Sequence, residues 1–113
     1  MSTAKKYKTR LTVKENHSHF FVNTDEIIFL EVNEKYLDVH TAKKSYLLRD
    51  TISSIEKELN PTVFRRVNRS TIVNMNFIKE IQPWSHGDYL IILHNSSKIK
   101  LSRKFTQNIL EDK

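Results

Sequence analysis

Apolar residues in this chain return at every second position in one short run after another, and only once do they return at clear helical spacing. Tyr7, Thr9, Leu11 and Val13 alternate with Lys8, Arg10, Thr12 and Lys14, the pattern of a strand with one face buried. Phe20 to Val22, Ile27 to Val32, Ile78 to Ile81, Tyr89 to Leu93 and Ile99 to Leu101 read as further strands. Tyr36 to His40 and Ser45 to Leu48 flank Ala42-Lys43-Lys44 as a hairpin. Helices do not alternate with these strands, so a parallel α/β sheet is not expected. The chain should be mostly β, in short antiparallel sheets with one or two short helices.

The period changes at Ile52, Ile55 and Leu59, which fall on one helical face. Asp50 or Thr51 can cap that helix, and Asn60-Pro61 ends it, because proline drives the residue before it out of the α region. Thr24-Asp25-Glu26 and Ser70 to Val73 read as single tight turns. Ser102 is placed to cap a final short helix carrying Phe105 and Ile109. Trp84 is expected to cover a core edge, and Asn74 to stitch a turn.

At 113 residues there is room for one domain spanning 1–113, with its core at about 7–110. The absence of cysteine excludes disulfides, thiolate metal sites and a cysteine nucleophile. One glycine cannot build a phosphate-cradling loop. The longest apolar runs are too short to span a bilayer, so a cytoplasmic protein without membrane association is expected. His17 and His19 could face one side of a strand, but no third ligand sits at suitable spacing, and they read as solvated. No metal, no cofactor and no catalytic residues are expected.

The charge is more telling. Between Thr62 and Thr106 there are eight basic residues against two acidic ones, while the remainder holds eleven of each. The whole net charge of +6 therefore lies in that segment. Such asymmetry suits a polyanion binder.

The segment from Phe64 to Asn74, Phe-Arg-Arg-Val-Asn-Arg-Ser-Thr-Ile-Val-Asn, resembles the most recognisable stretch of the LytTR-type DNA-binding domains of the LytR/AlgR regulators. Ile78-Lys79-Glu80-Ile81, Pro83-Trp84, Gly87-Asp88-Tyr89 and Leu101-Ser102-Arg103-Lys104 follow in family order. Upstream, Phe29-Leu30-Glu31 before Lys35-Tyr36-Leu37, and Tyr46-Leu47-Leu48-Arg49, match in character, so the likeness runs from Leu11 to Leu110. Two departures are Asn68, where the family often has His, and Asn95-Ser96 in place of an Asn-Gly-like turn, which needs either a positive φ at one of them or a longer loop.

The resemblance implies a compact ten-stranded fold whose loops enter successive major grooves of direct-repeat duplex sites, as the output of a two-component response regulator or as a regulator that stands alone. A receiver domain elsewhere in the full-length protein, and a homodimer that forms on DNA, are implied partners. Arg69 and Arg103 are the leading base contacts, since a guanidinium fork matches guanine O6 and N7. Lys35, Tyr36 and Asn68 follow them; Tyr36 could instead face the core, and Asn68 could bond local backbone. Arg65, Arg66, Ser70, Lys100, Ser102 and Lys104 are candidate phosphate contacts, although alternation turns Arg65 and Arg66 to opposite faces. Two other classes stay open: a module docking an acidic protein through strand edges, and a single-strand binder. The latter would need several exposed aromatics on one face, whereas most of the Phe and Tyr residues fit buried alternation.

Overall fold

The computed structural model describes residues 6–110. Ten strands are present: β1 Arg10–Glu15, β2 Ser18–Asn23, β3 Ile27–Asn33, β4 Tyr36–Thr41, β5 Ser45–Leu48, β6 Phe64–Asn68, β7 Thr71–Asn74, β8 Ile78–Pro83, β9 Tyr89–Leu93 and β10 Lys98–Leu101. They form a seven-stranded sheet in the order β2-β1-β5-β4-β3-β7-β6 and a three-stranded sheet in the order β10-β9-β8, all antiparallel. The mostly β architecture expected from the alternation is the one observed.

The pleat divides the core in two. Leu11, Val13, Val22, Leu30, Leu37, Val39, Leu48 and Ile72 point to one face of the large sheet, where helix α1 (Ile52–Glu58) closes over them with Ile55 and with Leu59 at its C-cap. Burial of each such aliphatic side chain contributes roughly 1.5–3 kcal/mol. Ile52 shares the helical face of Ile55 and Leu59 and packs against this cluster, but it is only partly buried. The Thr51 hydroxyl accepts from the Ser54 N–H at 3.1 Å and so caps the first turn of α1.

Phe29, Val67 and Val73 point to the other face of the sheet and meet Ile91, Leu93, Ile99 and Leu101 of the small sheet. The small sheet therefore lies over β3, β7 and β6. On the same side of β1, β2 and β5, Thr12, Lys14, His19, Phe21, Leu47 and Arg49 are all exposed. The β6 edge is sealed by the 3-10 helix Arg103–Asn108: Arg65 donates to the carbonyls of Pro61 and Asn108, and Asn108 Nδ2 donates to Arg66 O at 2.8 Å.

Three readings need correction. Ser70 to Val73 is not a helical turn but leads into β7, whose four residues are all buried. A strand covered on both faces shows no alternation. The last helical segment is 3-10, and Ser102 precedes it without a side-chain cap, while Phe105 and Ile109 do pack on the small-sheet core. Trp84 is 59% exposed and covers no core edge. Asn74 does stitch a turn: its carbonyl oxygen accepts from Asn76 N and its amide donates to the buried Ile27 carbonyl at 2.8 Å. Ser96 takes the positive φ, +74°, that the Asn95-Ser96 turn demands.

Candidate nucleic-acid interface

Strand direction decides which turns share an end of the sheet. β3 ends at the Glu34-Lys35 turn, and β6 ends at the Arg69-Ser70 turn. Glu31 pairs with Thr71, so these two turns emerge side by side. The backbone bond Val32 N–H to Ser70 O, 2.8 Å, joins them.

A third segment is tied to the same place. Asn68 Nδ2 donates to Lys100 O at 2.9 Å, and Ser102 N donates to Val67 O at 2.9 Å. The end of β10 and Arg103 are thereby held beside the β6–β7 turn. Asn68 also accepts from Ser70 N at 2.8 Å, so its polar atoms serve the local backbone, the alternative its position in a turn suggested.

The β8–β9 turn supports Arg103 from below. Asp88 Oδ1 accepts the Arg103 backbone N–H at 2.8 Å, and Asp88 Oδ2 lies 3.5 Å from Lys100 Nζ. The Arg103 N–H, aided by the charges of Lys100 and Arg103, holds the Asp88 carboxyl below the usual carboxylate range. Gly87, at φ +87°, passes directly beneath the aliphatic part of Arg103. The Asp88–Arg103 backbone bond joins residues fifteen apart and follows from no local pattern.

Arg66 was expected to hold phosphate, yet it is engaged inside the chain. Its guanidinium donates to the carbonyls of Asn68 and Arg69 and pairs with Glu56 of α1 at 2.9 Å. Its side chain is only 15% exposed. The donors of Arg65 are likewise committed to Pro61 and Asn108. Arg66 thereby ties α1 to the β6–β7 turn, and Arg65 ties β6 to the end of the 3-10 segment.

Lys35, Arg69, Arg103 and Lys104 are exposed, and their side chains make no hydrogen bond or ion pair among the described residues. Ser70 is exposed and Ser102 partly so. Lys100 faces solvent and is paired only at 3.5 Å with Asp88. Tyr36 opens β4, is half-buried and carries the Arg49 guanidinium 5.6 Å above its ring. Arg69 occupies a hairpin turn rather than the mouth of a helix, so no helix N-terminus assists it; Arg103 does open the 3-10 segment.

Elsewhere, Glu31, Asp38 and His40 bring ligand-type atoms within 4.8 Å of one another. They are satisfied internally. His40 Nε2 meets Glu31 at 3.0 Å, Ser45 Oγ meets His40 Nδ1 at 2.7 Å, and Asn33 donates to both oxygens of Asp38. No helix among the described residues is long and apolar enough to cross a membrane.

Fold and site together define a β protein whose exposed, unpaired basic residues stand on turns and a short 3-10 segment rather than on a long helix. Known proteins give that class a name. The family model of the LytTr DNA-binding domain matches residues 17–112. The sensory transduction protein LytT of Bacillus subtilis (strain 168) is 39% identical over 108 residues, covering 96% of this chain and 44% of that protein. The transcriptional regulatory protein LytR of Staphylococcus aureus (strain N315) is 32% identical over 98 residues, covering 87% of this chain and 40% of that protein. Among solved structures, a LytTr DNA-binding domain from Bacillus cereus superposes with a TM-score of 0.85 at 25% identity, over 93% of this chain and 99% of that one. The chain belongs to the LytTr DNA-binding domain family, and it spans less than half the length of the curated relatives it matches.

Proposed function

We propose that this chain reads duplex DNA sequence through its interlocked turns, as the output domain of a cytoplasmic response regulator that controls transcription. The observation that carries the reading is the meeting of unpaired Arg69 and Arg103 on turns locked together by the Val32–Ser70, Asn68–Lys100 and Asp88–Arg103 bonds. Turns held in this way lose little conformational entropy on binding.

Arg69 and Arg103 take the base edges, each from its own turn, and Lys35 supplies a third point. Ser70, Ser102, Lys100 and Lys104 meet the phosphates, which orient the domain without reading sequence. Asn68, Arg65 and Arg66 hold the turns in shape; Tyr36 does so for the β3–β4 hairpin. Direct-repeat sites about 10 bp apart would let two copies bind one face of the duplex, one helical turn from each other. The greater length of the relatives leaves room for a receiver domain.

The test is a selection of bound duplexes from a random pool, followed by competition of the selected site against random duplex, single strand and heparin at two salt concentrations. A direct repeat, with preference over random duplex at both salts, is the expected result. Equal competition by heparin and random duplex would leave only a polyanion binder, and preference for single strand would point to a different reading surface.

A further inference from the structure

The half of the large sheet left uncovered by the small one contains an open cleft. Strand β1 runs paired with β2 from Arg10 to Glu15, and β5 with β4 from Ser45 to Leu48. Between β1 and β5 the ladder is a single pair, Lys14 with Leu47. Beside that pair lies a cleft of about 610 Å³, lined by Thr12 and Val13 on one side and by Leu48 and Arg49 on the other. Its size falls within the range of small-molecule sites, roughly 300–1,000 Å³.

The chemistry of its walls is one-sided. Lys14, His17, His19 and Arg49 line it, and no Asp or Glu does. Neither Lys14 nor the two histidines have a hydrogen bond or ion pair among the described residues, and Arg49 has only the Tyr36 ring. Leu47, 46% exposed, and Tyr36 add an apolar wall. Positive side chains beside an apolar wall suit an anion carried on a flat apolar body.

We propose that the cleft between β1 and β5 binds a small organic anion, an aryl carboxylate or aryl phosphate. The anionic group sits between Lys14 and Arg49, and the ring lies along Leu47 and Tyr36. Tyr36 adjoins Lys35 of the β3–β4 turn, so an occupied cleft neutralises positive charge at the edge of the interface and weakens DNA binding. That coupling rests on the DNA reading above; the binding itself does not.

The experiment is a titration of the isotope-labelled chain, without DNA, followed through backbone amide shifts. Phenyl phosphate is the probe, with inorganic phosphate and phenol as controls. Saturable shifts at Lys14, Leu47 and Arg49 with phenyl phosphate, and much weaker ones with either control, are expected. Lys14→Ala or Arg49→Ala should weaken the probe by roughly tenfold, the low end for a hydrogen bond to a charged group. Both residues are exposed, so neither change threatens the fold. Shifts spread evenly over Arg69, Arg103 and Lys104, or equal binding of inorganic phosphate, would overturn the proposal. So would cleft shifts caused by duplex DNA but not by the probe, since the cleft would then belong to the DNA footprint. A second arm measures duplex affinity with saturating probe: a loss supports the coupling, and no change overturns the coupling while leaving the site standing.

Discussion

A methyl group added to Gly87 would stand 2.8 Å from Cδ and 3.2 Å from Cγ of Arg103. The single glycine of the chain thus supports a side chain that no local sequence pattern connects to it. Gly87→Ala meets two obstacles: a φ of +87°, which costs an L-residue about 1–2 kcal/mol, and the displaced arginine. The variant is expected to melt lower and, on the proposed reading of a base pair by Arg103, to lose discrimination there, with the Arg69 position unaffected. A site-preference profile identical to wild type would show that Arg103 finds its place without Gly87.

Asp88 gives the same segment a pH dependence. Its carboxyl is held below the usual range mainly by the Arg103 N–H, so the bond's contribution is complete above the unfolded pKa of about 3.9. It is lost as pH falls through the lowered folded-state value. Protection of the Arg103 amide, measured against its intrinsic exchange rate at each pH, should therefore fall in acid, below about pH 4, before the core strands open. Asp88→Asn should remove that step while keeping an acceptor for the N–H. An acid profile unchanged in this variant would rule out Asp88 as the titrating group.

Much of this architecture is legible in the chain, and what is hidden is hidden for physical reasons. Alternation around Leu11 and Val13 reveals β1 because one face of that strand meets water. Thr51 and Pro61 bracket α1 because caps and proline act locally. Thr71 to Asn74 misleads because burial on both faces erases the period. The candidate interface is legible in its charged residues, Arg69, Arg103 and Lys35, through the resemblance and the basic segment. Which arginines remain free is not legible, because the partners of Arg65 and Arg66, Asn108 and Glu56, lie far along the chain. Glycine and aspartate at 87 and 88 read as an ordinary turn until Arg103 is folded back against them.

Arg66 and Lys104 should now part company under mutation. Arg66→Ala removes three donors from Asn68, Arg69 and Glu56, and a loss of roughly 1.5–3 kcal/mol in stability is expected. Lysine should rescue little, because one ammonium cannot span three separated acceptors as the guanidinium fork does. Lys104→Ala should leave the melting temperature unchanged and flatten the salt dependence of DNA binding by about one unit of slope. Thermal melts beside salt titrations of both variants check this, and a stable Arg66→Ala protein with a flattened slope would return Arg66 to the phosphates.

The final expectation separates reading from positioning. Arg69 and Arg103 stand on different turns, one between β6 and β7 and the other after β10, held in register by the Asn68–Lys100 bond. If each turn enters a major groove, each arginine should discriminate a different base pair, with guanine the natural partner of a planar two-pronged donor. A bidentate pair of this kind is worth roughly 1–3 kcal/mol, or about 5- to 150-fold in preference. Arg69→Ala and Arg103→Ala should each flatten preference at one separate position of the site. Non-specific binding should persist through Lys100 and Lys104, and melting temperatures should hold because both side chains are exposed and unpaired. Arg→Lys should restore little at either position, since the ammonium keeps the charge and loses the fork. Binding-site profiles of the four variants beside wild type decide the matter. A uniform loss across all sequences, repaired by lysine, would mean that these arginines grip phosphate and that the base contacts lie in the Asn33 to Tyr36 turn.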